Sequence, residues 1–248
     1  MFRSILVILV LLLAFGSACS KKQVKLYPED TDQEALDKCL YLSQKKRFEE
    51  SVECLELVKS RYASSPVASE AELKIADNYY RNKEWLLAAE TYKIFVQLHP
   101  SSPKLDYAYY RAGLAYSRKV SKKIDRDQSY LKEAEDSFTM VLRLFPSSPY
   151  AKLAASKLGQ MRGKGAEKHF YVGRFYYKFG EYRAAIPRFI AILQDYPDTP
   201  WEEDALYYLV LSYHKLRMQD KVEAALSLME DKYADSKKTK ELRKKVKS

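Results

Sequence analysis

One short phrase recurs along this chain and limits what it can become. It reads YASSP at 62–66, HPSSP at 99–103, FPSSP at 145–149, YPDTP at 196–200 and YADSK at 233–237. In each copy an aromatic residue or His closes a run of apolar residues at helical spacing, and a Ser, Asp or Thr pair leads into the next run. A short hydroxyl side chain accepts from the backbone N–H groups that a helix start leaves unpaired, and Pro is tolerated at the first helical position because no intrahelical bond is lost there. Ser65, Ser102, Ser148 and Thr199 therefore read as N-caps, with Pro66, Pro103, Pro149 and Pro200 just inside. Thr199 and Glu202 also have the spacing of a capping box. Repeated punctuation of this kind predicts a series of helices joined end to start.

The residues between the marks sharpen this into a repeat. Helical hairpins of about 34 residues place small and large side chains in a set order, because each seam must be buried against its neighbour. The second copy supplies Ala76, Tyr79, Trp85, Ala88, Tyr92, Phe95 and Pro100 in the tetratricopeptide order; the first supplies Cys39, Leu42, Phe48, Ser51, Leu55, Val58 and Ala63. The fourth gives Gly173, Tyr176, Tyr182, Ala185, Phe189, Ile192 and Pro197, with Gly180 at its turn. A fifth, with Tyr213, Leu226 and Met229 but Val222 in a small slot and Gln219 in an aromatic one, reads as a capping unit. The third begins at Gly113 and Tyr116 and resumes at Ala134, Phe138, Val141 and Pro146 after an insertion around 117–130. A second insertion, 152–165, reads as a connecting helix that ends near Gly163 and Gly165. The expected fold is all-α: a tetratricopeptide-like hairpin solenoid of five repeats over 34–236, with a basic tail at 237–248. The 47% hydrophobic and 13% aromatic content supplies its core, and the 21 tyrosines fall largely on packing positions.

The N-terminus is a different kind of segment. Arg3 precedes the apolar run 5–15, and small residues Gly16, Ser17 and Ala18 lead to Cys19. That run is too short to span a bilayer and suits an export signal. The GSAC sequence resembles the bacterial lipobox, which implies cleavage after residue 18, acylation of Cys19 and a linker at 19–33. Ser20 in the following position points, under the lipoprotein sorting rule, to the outer membrane. In an exported protein Cys39 and Cys54, on facing helices of the first hairpin, either pair or serve as buried thiols. The formal net charge of +10 is concentrated at 117–126 and 237–247, as a solvated face or as an attraction for anionic surfaces and acidic partners.

Catalytic constellations are not legible. His99, His169 and His214 stand alone, and no HExxH, CxxC, glycine-rich phosphate loop or GxSxG occurs. We expect no enzyme, no metal and no cofactor beyond lipid on Cys19, and export argues against nucleic acid as a partner.

Four stretches, HPSSPKLDYAYYRAGLAY, DRDQSY, FPSSPYA and AEKHFYVGRFYYKFGEYRAAIPRF, resemble in order and spacing the BamD family of outer-membrane assembly lipoproteins. The resemblance implies a periplasmic scaffold that associates with the barrel protein BamA and receives unfolded outer-membrane barrel proteins. It carries Arg188 forward as the residue that docks on BamA, and we place client segments near Tyr79, Tyr80 and Trp85. The alternative is a periplasmic repeat lipoprotein serving secretin, pilus or cell-wall machinery. Lys168-His169 and Pro187 depart from the family pattern, as do Gly163 and Gly165 where the family has one long helix.

Overall fold

The structure, a computed structural model, describes residues 25–247. The described residues contain eleven helices and no strand. In chain order they are Asp32–Gln44 (α1), Phe48–Arg61 (α2), Pro66–Arg81 (α3), Trp85–Leu98 (α4), Leu105–Lys119 (α5), Leu131–Leu144 (α6), Ala151–Lys178 (α7), Tyr182–Asp195 (α8), Glu202–Lys215 (α9), Gln219–Tyr233 (α10) and Lys237–Lys247 (α11). They fall into two compact units that divide between Lys74 and Ile75, inside α3.

In the first unit α1 packs on α2. Helix α1 starts with a full capping box: Glu34 N donates to Thr31 Oγ1 at 3.3 Å, and Thr31 N to Glu34 Oε2 at 2.9 Å. Its inner face buries Ala35, Leu36, Cys39 and Leu42 against Cys54, Leu55 and Val58 of α2. Ser51, in the repeat's small slot, is fully buried and donates its hydroxyl to Cys39 O at 2.8 Å, so the polar atom enters the seam satisfied. At the joint into α3, Ser65 donates to the Asp32 carboxylate and accepts from Val67 N at 3.2 Å.

In the second unit successive helices from α4 to α10 pack on one another, and α11 lies against α9 and α10. The seams depend on missing side chains. A Cβ on Gly113 would stand 2.7 Å from the Phe138 ring, and one on Gly173 would stand 2.7 Å from that of Phe189. Both rings are fully buried, so each aromatic of a second helix sits directly on the backbone of the first.

The joints hold a common backbone pattern. Ala68 N, Leu105 N, Ala151 N and Glu202 N donate to Ser65, Ser102, Ser148 and Thr199 O, respectively, at 3.0–3.3 Å. Only Pro66 opens its helix; Pro103, Pro149 and Pro200 lie in the turn before, and α5, α7 and α9 each begin two residues later. Their N-caps are Lys104, Tyr150 and Trp201 rather than Ser102, Ser148 and Thr199. The capping box expected at Thr199 does not form: Thr199 Oγ1 donates to Tyr196 O, and Glu202 accepts from Asp198 N at 3.2 Å. Glu202 is instead drawn inward, paired with Lys232 Nζ at 2.6 Å and Tyr233 Oη at 3.1 Å.

Two further expectations change. Gly163 and Gly165 do not end a connector; α7 runs through both for 28 residues. A glycine costs a helix about 1 kcal/mol, which tertiary contact readily outweighs, and a Cβ at Gly165 would meet the Tyr196 ring at 2.5 Å. The basic stretch at the C-terminus is also a helix, α11, with Thr239 and Leu242 fully buried. Lys238 pairs with Asp204 at 2.9 Å and Glu203 at 3.4 Å, which neutralises the acidic first turn of α9.

Candidate functional site

Arg188 lies on α8 with an exposed side chain. It borders a cavity of about 240 Å³ with Lys168 and His169 of α7, Gln128 of the 120–130 loop and Lys132 of α6. The closeness of α7 and α8 there follows from Gly173, whose absent side chain leaves room for Phe189 and for the Arg188 Cβ, 3.1 Å from where a Cβ would stand. Three cations thus gather around one imidazole. Burial, with the charges of Arg188 and Lys168, holds His169 below its ordinary value against the opposing pull of Asp195. Lys132 is already paired with Asp136 at 2.6 Å. Gln128 is almost wholly buried; its amide nitrogen donates to Lys123 O at 2.9 Å and Ser121 O at 3.3 Å. That fixes its orientation and leaves Oε1 pointing away from those carbonyls. Gln128 Oε1 and His169 Nδ1 are buried without a hydrogen-bond partner among the described residues. The arrangement suits a ligand that brings a carboxylate to the cations and an N–H to Gln128.

The aromatic residues expected to meet clients are only partly brought together. Tyr80 and Trp85 contact edge to face, with ring centroids 4.9 Å apart; Tyr79 is half-buried at the same helix end. Arg111 of α5 stacks on Tyr80 at 3.9 Å, and Arg118 lies 5.7 Å from Trp85. The guanidinium is itself held from below: Arg111 Nε donates to Tyr92 Oη at 3.1 Å, while Tyr92 and Tyr107 both donate to Asp77 Oδ1. Burial, reinforced by Asp77, pushes both phenols well above the usual tyrosine range, so they stay neutral donors. This is an alternating arginine–aromatic surface on a buried polar support, suited to peptide backbone, aromatic side chains and carboxylates.

Sequence reading singled out Tyr80, Trp85 and Arg188 but passed over Arg111, Gln128 and the setting of His169. Arg111 sits one turn from Tyr107 on α5, a spacing visible in the sequence; the meeting of Gln128 with His169 joins a loop to a distant helix and leaves no local mark. Cys39 and Cys54 are joined as a disulfide with Cα atoms 5.4 Å apart. Cys19 and the leader lie outside the described residues. Among the described residues no group of three or more His, Cys, Asp or Glu is placed to hold a metal, and no helix is long and apolar enough to cross a membrane.

Residues 28–228 match the family described as YfiO, outer membrane lipoprotein. Similar proteins include the outer membrane protein assembly factor BamD of Rickettsia prowazekii, 30% identical over 80% of this chain and 78% of the relative. The BamD of Neisseria meningitidis serogroup A is 31% identical over 68% of this chain and 67% of the relative. A solved structure described as Pseudomonas aeruginosa pilF covers 87% of this chain and 82% of its own at 12% identity, with a TM-score of 0.41, too loose a likeness to bear on function. Through the match over most of its length, the chain belongs to the YfiO family of outer membrane lipoproteins.

Proposed function

We propose that this protein is an outer membrane protein assembly factor: a non-enzymatic scaffold that brings unfolded barrel proteins to a BamA-like insertion machine. The supporting observation is the similarity, across four-fifths of the chain, to a relative described as assembly factor BamD. On this reading residues 1–18 direct export, acylated Cys19 tethers the chain at the periplasmic face of the outer membrane, and 19–33 is the linker. Arg188 and its neighbouring cations meet an acidic segment of the BamA-like partner, in keeping with the bidentate geometry of guanidinium and carboxylate. Tyr79, Tyr80 and Trp85, with Arg111 and Arg118, receive client segments. No bond is made or broken; the work is adhesion and placement.

Co-purification from detergent-solubilised membranes with mass spectrometry tests the reading. Recovery of a BamA-like barrel protein is expected; recovery of a secretin, pilus component or cell-wall enzyme in its place would overturn it. An Arg188→Glu variant should lose most of that association, about tenfold or more. Labelling with a palmitate analogue should mark the wild type and not Cys19→Ser.

A further inference from the structure

Helix α7 has a second face, turned away from Arg188. Tyr171 and Phe175 along it and Phe179 at the helix's C-cap follow at intervals of four residues, so they share one stripe. They are 48%, 52% and 70% exposed, and Phe175 and Phe179 touch with ring centroids 4.7 Å apart. Large aromatics rarely stand so open in a row unless something covers them. Beside the stripe is a cavity of about 300 Å³, closed by Ile124 from the 120–130 loop and by Trp201 at the joint before α9. Arg174 and Lys178 line it, and neither makes an ion pair or hydrogen bond with a described residue. Glu167 is the one acid among the lining residues.

We propose that this face is a docking site, separate from the Arg188 surface, for an acidic segment of a partner protein that inserts one large apolar side chain between Phe175, Ile124 and Trp201. Charge selects the occupant. Two unpaired cations at the rim of an apolar hole call for carboxylates flanking an apolar anchor. A second copy related by a two-fold axis would set Arg174 and Lys178 against their own equivalents, in a chain whose net charge is already +10. An anionic bilayer would satisfy the cations and the rings, yet it presents no protruding side chain to fill a cavity walled on three sides. The hole therefore favours a peptide.

Random twelve-residue peptides displayed on phage and panned on the purified full mature chain test this, with the Phe175→Ala/Phe179→Ala double variant as the counter-target. Both rings are at least half exposed, so the variant should keep the thermal unfolding of the wild type, checked by circular dichroism. Enrichment of Phe, Trp or Leu flanked by Asp and Glu is expected. A synthetic peptide of the leading sequence should bind the double variant, and an Arg174→Glu/Lys178→Glu variant, about tenfold more weakly or worse, with affinity falling as salt rises. Basic or uncharged selected sequences, no enrichment over the counter-target, or equal binding by the variants would each overturn the proposal. So would loss of binding to phosphatidylglycerol vesicles by the double variant with peptide binding unchanged, which would assign the face to the membrane. An Arg188→Glu variant should bind the peptide as the wild type does, so this result stands or falls apart from that of the assembly reading.

Discussion

Gly163, Gly165 and Gly173 share one helix, and what lies over each decides its meaning. A Cβ at Gly163 meets nothing within 4 Å, whereas at Gly173 it meets the buried Phe189 ring at 2.7 Å. Gly163→Ala should therefore stabilise the protein by up to about 1 kcal/mol, the helix-propensity gain alone. Gly173→Ala should destabilise it by roughly 1–3 kcal/mol, because overpacking exceeds that gain; urea unfolding of both variants checks the opposite signs. Sequence reading took Gly163 with Gly165 as a helix end, since glycine's cost is a local property and the Tyr196 ring that occupies the space over Gly165 is not. Glu202 shows the same limit. Read locally, it complements a helix start; in the fold, burial pushes its carboxyl up while Lys232, Asp198 N and Tyr233 together bring it below the usual carboxylate range. A depressed carboxyl adds stability above its unfolded value of about 4.3, and that stability is lost as pH falls through the folded value. Glu202→Gln should thus cost about 1–3 kcal/mol at pH 7 and less at pH 3.5. Equal losses at both pH values, measured by urea unfolding, would contradict the pairing.

At the scale of elements, four hairpin turns are built alike. Lys46, Lys83, Gly180 and Arg217 each have φ between 58° and 79°, two residues past the end of α1, α3, α7 and α9. In each the next N–H reaches back across the turn: Arg47 to Leu42 O, Glu84 to Tyr79 O, Glu181 to Tyr176 O and Met218 to Tyr213 O, at 2.9–3.0 Å. This is the left-handed helix stop that glycine fills without strain. Sequence reading found Gly180 and missed the other three, because Lys and Arg carry no turn signal; Lys46 and Arg217 are held there by the packing of the two helices they join. Lys83→Gly should stabilise the protein by up to about 1 kcal/mol, and Gly180→Ala should destabilise it by a similar amount. Thermal unfolding of the two variants decides it. Between α5 and α6 the 120–130 loop replaces this turn, and it carries Gln128 to one side of α7 and Ile124 to the other.

At the scale of the whole molecule, the division into two units gives the disulfide a bounded reach. Cys39 and Cys54 lie 15 residues apart in sequence and both belong to the first unit. Closing a loop of that length contributes roughly 3 kcal/mol in the chain-entropy account. Reduction, or a Cys39→Ser/Cys54→Ser variant, should raise hydrogen exchange across α1 and α2 while the core helices α8 and α9 keep their protection; uniform loss across the chain would refute this. Most helix positions and the order of small and bulky residues were readable in the sequence; the run of α7 through Gly163 and Gly165, the helical tail α11 and the helix starts after Pro103, Pro149 and Pro200 were not. The 3.6-residue periodicity acts between neighbours along the chain, so the sequence carries it in full. Capping also depends on the path of the turn, and Ser102, Ser148 and Thr199 stand two residues before the actual N-caps Lys104, Tyr150 and Trp201. The cation cluster around Arg188, the arginine stacked on Tyr80, the buried pairing of Glu202 and the open stripe on α7 were decided only by tertiary structure. Each depends on which side chains from distant helices arrive at the same place, and no local pattern encodes that distance.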